Sequence, residues 1–379
     1  MPPGYAVPRP GRPKIRMVLL WLLCSLLIAA TGLLSLAAIS TETGGLGLVT
    51  GTVLAAIPVI PVVATYLWLD RYEAEPPSLL FFAFAWGAGL ATFGSLAINT
   101  FSIAAIQASG GDITAGAVVV APLVEESFKG LGVLVVLLLR RKEFDGVVDG
   151  LVYAGMVGVG FAFLENVLYL GRTLDQVGGG GTVIVFLLRC VVSPFAHPLF
   201  TAATGVGLGI AVRARNPLVK VGAPVLGWSV AVVLHGLWNL SASSGLQGFV
   251  SVYVLIQVPI FVVAVALALY ARRREGRLIG RHLAVYGTTG WLTSREIEML
   301  ASLPARRDAR GWAARTGGVT SRKAMRDFQE LGSELAFLRE RMERGAATPE
   351  APTLEYGMLT AMTQLRMAFV PQWAGQQPS

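Results

Sequence analysis

Glu125, Glu126 and Lys129 fall within one helical turn of an apolar stretch, Ala117 to Leu139. Each costs about 2.5 to 3.5 kcal/mol at the centre of a membrane helix, so three together need a reason. Glu125 and Lys129 are four apart with the acid first, the favourable order for a helical ion pair, and Glu126 is also within reach of the lysine. Lys129 can neutralise one carboxylate. The other needs a partner on another helix or has to keep its proton, a state that suits general acid-base work.

Three further apolar stretches each hold a polar group: Glu165 in Phe161-Ala-Phe-Leu-Glu165-Asn166, His197 in Ser193-Pro-Phe-Ala-His197-Pro198, and His235 in His235-Gly-Leu-Trp-Asn239. Pro194 and Pro198 remove backbone donors and open the helix around His197. His235 and Asn239 share one helical face. Taken singly, each could be a hydrogen-bonding link between helices. Taken jointly, two histidines and three glutamates on four helices point to one wet site. Such a site can hold a divalent metal that activates water, or activate water directly with a carboxylate. His197, His235 and Glu165 have the composition of a catalytic zinc site with an open position, although HExxH is absent. Without metal, Glu125 or Glu126 is the base, one histidine orients water, and His235 with Asn239 donates to the developing oxyanion. Zinc and no metal both stay open. The Gly155/Gly158/Gly160 and Gly205/Gly207/Gly209 series lie in apolar helices and fit close packing better than nucleotide binding.

The elements that must position these residues are membrane helices. The 379 residues are 54% hydrophobic and only 14% charged, with a mean hydropathy of +0.62, which excludes an ordinary soluble enzyme. Eight runs reach spanning length: Met17 to Ala38, Leu46 to Leu69, Leu79 to Ile106, Ala117 to Leu139, Val148 to Leu170, Val183 to Val212, Val221 to Leu240 and Phe249 to Ala271. The expected fold is therefore all-α and polytopic. The first run exceeds a signal peptide's apolar core and reads as a retained anchor. Lys and Arg total 31 against 23 Asp and Glu. The basic residues gather in the leader, at Arg71, at Arg140 to Lys142, at Arg213 to Lys220 and at Arg272 to Arg274, whereas the alternate loops offer only Arg172. The positive-inside rule then puts both termini in the cytoplasm and assigns the positive charge to topology, with no nucleic acid as partner. Cys24 and Cys190, each in an apolar run, form no disulfide framework.

Counting helical rise from the outer boundary places Glu125 roughly 12 Å deep, Glu165 and His235 roughly 8 Å, and His197 about 11 Å if Arg189 marks the interface. These depths allow one cluster in the outer half of the bilayer. Residues 1–16 form a basic leader, 17–271 the membrane core and 272–379 a basic cytoplasmic tail. In the tail, Thr293 and Ser294 precede a helix through Leu300. Ser321 to Arg344 carries Phe328, Leu331, Leu335 and Leu338 at helical spacing, an amphipathic helix that packs locally or lies on anionic lipid. The first 13 residues and about 30 at the end have disordered composition.

Glu125-Glu126-x-x-Lys129, Phe161-x-x-x-Glu165, His197 and His235-x-x-x-Asn239 resemble the PrsW family of intramembrane proteases, related to the CAAX prenyl endopeptidases. Leu69-Asp-Arg-Tyr-Glu-Ala-Glu-Pro76 and Arg141-Lys-Glu-Phe-Asp-Gly-Val-Val-Asp149-Gly add to the likeness, which covers roughly residues 60 to 245. The resemblance implies a multi-pass protease of the bacterial plasma membrane, of metallo or glutamic type. Its substrate would be a membrane-anchored protein such as an anti-sigma factor. A proton-coupled transporter would use the same buried carboxylates, yet no second half of the chain repeats the first. A scaffold serving the tail would leave the cluster without a purpose.

Overall fold

The computed structural model describes residues 15–141 and 144–369, with side chains from residue 19. Most of the leader, Lys142 and the expectation for the first 13 residues lie outside them. The described residues contain helix and turn, and no strand. Six helical runs among them are long and apolar enough to cross a membrane: Leu19–Leu69, Pro77–Ala108, Val147–Gln176, Gly179–Arg213, Pro217–Ser243 and Gly245–Thr288. Their outer faces carry exposed Leu33, Ile60, Phe101 and Leu255, side chains that lipid would cover. The chain is a multi-pass membrane protein.

In chain order the helices are α1 (Ile15–Leu69), α2 (Pro77–Ala108), α3 (Ala121–Leu139), α4 (Val147–Gln176), α5 (Gly179–Phe186, continued by a π turn Leu187–Val192), α6 (Ala196–Arg213), α7 (Pro217–Ser243), α8 (Gly245–Thr288), α9 (Ser294–Ala301), α10 (Leu303–Glu343) and α11 (Ala351–Phe369). The first two expected spans are limbs of α1. Gly44 turns between them with φ 63°, a backbone state that glycine adopts without steric cost. Trp21 packs edge-on to Phe82 at 4.7 Å between centroids, while Tyr66 lies against Gly155 and Gly47 against Gly171, so the two limbs run in opposite directions. The fourth expected span is α3, whose three charges keep it outside the six apolar runs.

The chain divides into two compact units. One holds 13–70 and 75–269, the other 71–74 and the residues from 270 on. In the first, α4 is the central helix, with Val152, Tyr153, Val157, Val167 and Leu170 buried. Its glycines let neighbouring backbones approach: a Cβ on Gly160 would run into the Phe84 carbonyl of α2, one on Gly150 into Gly205 of α6, and one on Gly158 would lie 2.6 Å from the Pro198 Cα. The glycine series are packing surfaces, as expected. This central position gives Glu165 neighbours on several helices.

In the second unit, Ile279, Leu283, Leu300, Phe328, Leu335 and Met362 form a core. Thr293 and Glu296 make a capping box at the start of α9, each accepting a backbone N–H from the other at 3.2 and 2.8 Å. The expected 321–344 helix is the later part of α10, which bends at Gly317 and Gly318, and its apolar stripe packs locally. The expectation that about 30 terminal residues lack structure is corrected for 351–369. These form α11, whose Leu359, Met362, Leu365 and Phe369 are buried at helical spacing.

Candidate active site

Glu126 and Lys129 are fully buried and Glu125 is 6% exposed. Lys129 Nζ lies 2.8 Å from Glu126 Oε1 and 3.5 Å from Glu125 Oε2, the two intrahelical pairs expected from spacing. Partners for the remaining oxygens come from other helices. Thr201 of α6 donates to Glu126 Oε2 at 3.0 Å, and Asn99 of α2 donates to Glu125 Oε1 at 3.2 Å. Lys129 also stands 3.7 Å above the Phe161 ring centroid, a cation–π contact that gives Phe161 its part in the motif.

The chain breaks between α5 and α6 at Ser193–Phe195, as the two prolines require, and Pro198 falls in the first turn of α6, where its missing N–H is harmless. His197 is thereby placed one turn before Thr201. Its Nδ1 lies 3.1 Å from Lys129 Nζ and its Nε2 lies 2.7 Å from Glu165 Oε2. An ammonium group has no lone pair, so Nδ1 accepts from Lys129 and Nε2–H donates to Glu165. His235 of α7 has Nδ1 at 3.0 Å from Glu126 Oε1 and Nε2 at 3.7 Å from Glu125 Oε2. The carboxylate fixes the proton on Nδ1, which leaves the Nε2 lone pair facing Glu125. The two imidazoles meet edge to face at 5.0 Å.

All five catalytic candidates from the sequence therefore converge, together with Lys129. Three details differ from the expectation. Asn239 is turned away from the cluster and donates to the Ala117 carbonyl at 2.8 Å, tying α7 to the turn before α3. Glu165, read as a metal ligand with the two histidines, bridges His197 and Arg189. Arg189 was read as an interface marker because an unpaired charge in lipid is costly; its ion pair with Glu165 removes that reason, and its Nε donates to Asn166 Oδ1 at 2.7 Å. Asn99 and Thr201 escaped the sequence reading, as did the pairing of Arg189 with Glu165 and Asn166. The signal was present in Arg189, a lone cation inside an apolar run one helix away from a lone carboxylate.

The ligand atoms of Glu125, His197 and His235 all lie within 4.8 Å of one another. Two imidazoles and a carboxylate are the donor set of catalytic zinc sites. The facing lone pairs of His235 Nε2 and Glu125 Oε2 call for a positive partner, and Glu126 on His235 Nδ1 is the carboxylate–histidine support that ligating histidines use. The residues thus fit a divalent ion provided that Lys129 yields the His197 Nδ1 lone pair to it, since Nε2–H is engaged by Glu165. The same cluster around water is an acid-base site.

The two supporting phrases fold into one buried network at the other end of α4. Asp70 Oδ2 accepts the Glu75 N–H at 2.7 Å, Tyr153 donates to Glu75, and Asp149 Oδ2 accepts the N–H groups of Asp145 and Gly146, both at 2.7 Å. Burial pushes the Asp70 carboxyl up to about 8, helped by the charge of Asp149. These residues fix the start of α4 and do not face the cluster.

A family model described as PrsW family intramembrane metalloprotease matches residues 75–264. A protein named Protease PrsW from Oceanobacillus iheyensis is 35% identical over 152 residues, 40% of this chain and 63% of the relative. One of the same name from Clostridioides difficile is 31% identical over 190 residues, 48% of this chain and 76% of the relative. A third, from Geobacillus kaustophilus, is 34% identical over 162 residues, 42% and 67% of the two chains. No solved structure matches the chain.

Proposed function

The chain belongs to the PrsW family of intramembrane metalloproteases, and from that premise we propose that it hydrolyses a peptide bond of a membrane-anchored protein in the cluster built on α3, α4, α6 and α7. The observation that carries this reading is the convergence of Glu125, His197 and His235 within 4.8 Å among apolar helices. Glu126 has its oxygens engaged by Lys129, His235 and Thr201. It orients His235. Glu125 faces the histidines and either takes the proton of the attacking water or ligates a metal.

A divalent ion, zinc by donor type, would be held by Glu125, His197 and His235 and would supply Lewis-acid activation of water. Lys129 and Arg189 balance two of the three carboxylates, which limits the charge buried in lipid. Eight spans follow if both limbs of α1 and the charged α3 cross, giving a leader (1–16), a membrane core (17–271) and a tail (272–379). Both termini then face the cytoplasm of a bacterial plasma membrane, by the basic loops. An anti-sigma factor is the substrate class that the family resemblance suggests.

The test is metal content of detergent-purified protein by elemental mass spectrometry, wild type beside His197→Ala. Cleavage of a single-span test substrate is followed before and after chelation. About one equivalent of zinc, lost in the variant together with activity, supports the metal form. Metal-free protein whose activity survives chelation assigns water activation to Glu125. Wild-type protein that cleaves no membrane-anchored substrate would overturn the reading.

A further inference from the structure

A narrow cleft reaches His197 from the helix break, lined by Ala162 and Asn166 of α4, Arg189, Ser193, Pro194 and Trp238 among others. Asn166 is 5% exposed, and its Oδ1 accepts from Arg189 Nε at 2.7 Å. An arginine side chain only donates, so this bond fixes which end of the amide is oxygen. The Nδ2 group is therefore the end left over. It makes no hydrogen bond among the described residues, and Asn166 lines the cleft that reaches His197, where a carbonyl oxygen can take the free donor. Arg189 is itself held against Glu165 and stacked over Tyr169 at 4.3 Å, so the amide is fixed by a rigid support. Asn239, the other amide with a claim on this chemistry, is already bonded to Ala117.

We propose that Asn166 is a catalytic residue whose Nδ2–H donates to the scissile carbonyl oxygen, and that Arg189 is the positioning residue that aims it. The inference rests on the proteolytic reading above. As water adds to the carbonyl carbon, one C–O bond forms, the π pair moves onto the carbonyl oxygen and a proton passes to the base of the cluster. Collapse returns that pair, breaks the C–N bond and delivers the proton to the leaving amine. The donor from Asn166 strengthens while the oxygen carries the charge, which is where such a bond accelerates the reaction.

The experiment compares Asn166→Asp, Asn166→Ala and Arg189→Lys with wild type, using a single-span membrane-anchored test substrate that wild type cleaves, with melting temperature as the check on folding. Asn166→Asp keeps the acceptor for Arg189 and removes the donor. The expected result is a kcat loss of about 100- to 1,000-fold in both Asn166 variants with KM within about two-fold, and a smaller kcat loss in Arg189→Lys. Should Asn166→Asp not fold, Asn166→Ala decides by the same split. Near-wild-type kcat in Asn166→Asp, or a rise in KM alone, overturns the proposal by reducing Asn166 to a support for Arg189. These outcomes leave wild-type cleavage intact, whereas absence of wild-type cleavage removes the proteolytic reading and this inference with it.

Discussion

His235 Nδ1 and Glu126 Oε1 lie 3.0 Å apart across two helices, and the same carboxylate takes Lys129 and Thr201. One oxygen pair therefore sets the tautomer of His235, the position of the lysine and the packing of α3 on α6. Glu126→Gln replaces an oxygen with an NH2 group, which cannot accept from Thr201 if its oxygen serves His235 and Lys129. Support for an oriented histidine is commonly worth 10- to 100-fold in activity. Cleavage of a membrane-anchored substrate should fall by about that factor or more, while the variant still inserts and purifies as wild type. Full activity in Glu126→Gln would show that His235 needs no carboxylate.

Close backbone approach of α4 to α2 rests on Gly160, where a Cβ would collide with the Phe84 carbonyl, a rigid backbone atom. Overpacking of this sort costs typically about 1 to 3 kcal/mol and can cost more. Gly160→Ala should lower the melting temperature in detergent and displace Glu165, one turn and a residue further along the helix. Gly222→Ala is the matched control. Nothing lies within 4 Å of its added Cβ, and the change should be neutral or slightly stabilising. Equal melting temperatures for the two variants would overturn the packing argument.

The membrane helices and the members of the cluster were legible in the sequence for one reason: lipid makes ionisable residues expensive, so those retained stand out against apolar runs. What the sequence hid was which face of each helix meets which neighbour. Asn239 shares a face with His235 by spacing, yet it lies one turn closer to the helix end and meets Ala117 there. Arg189 was taken away from the site by the same cost argument that should have paired it with Glu165, because a cation in lipid can escape to an interface or find a carboxylate. In the tail, α11 was masked by the Pro- and Gln-rich residues that follow it. Its own stripe, Leu359, Met362, Leu365 and Phe369, has helical spacing.

Asp70 contributes a pH dependence that the comparison with Asp70→Asn separates from the rest of the chain. It stands just outside the first apolar helical run, and burial raises its carboxyl from 3.8 to about 8. Between these values the unfolded chain has released the proton and the folded chain still holds it. The folded state then binds more protons, so stability falls as pH rises through this window and levels off above it. Asp70→Asn keeps an oxygen for the Glu75 N–H and removes the titration. The wild-type melting temperature in detergent should drop between about pH 5 and pH 8, and the drop should be smaller in Asp70→Asn, whose advantage is greatest at the alkaline end. Parallel pH profiles for the two proteins would mean that Asp70 titrates alike in the folded and unfolded chain, and that the network it shares with Glu75 and Tyr153 is wet.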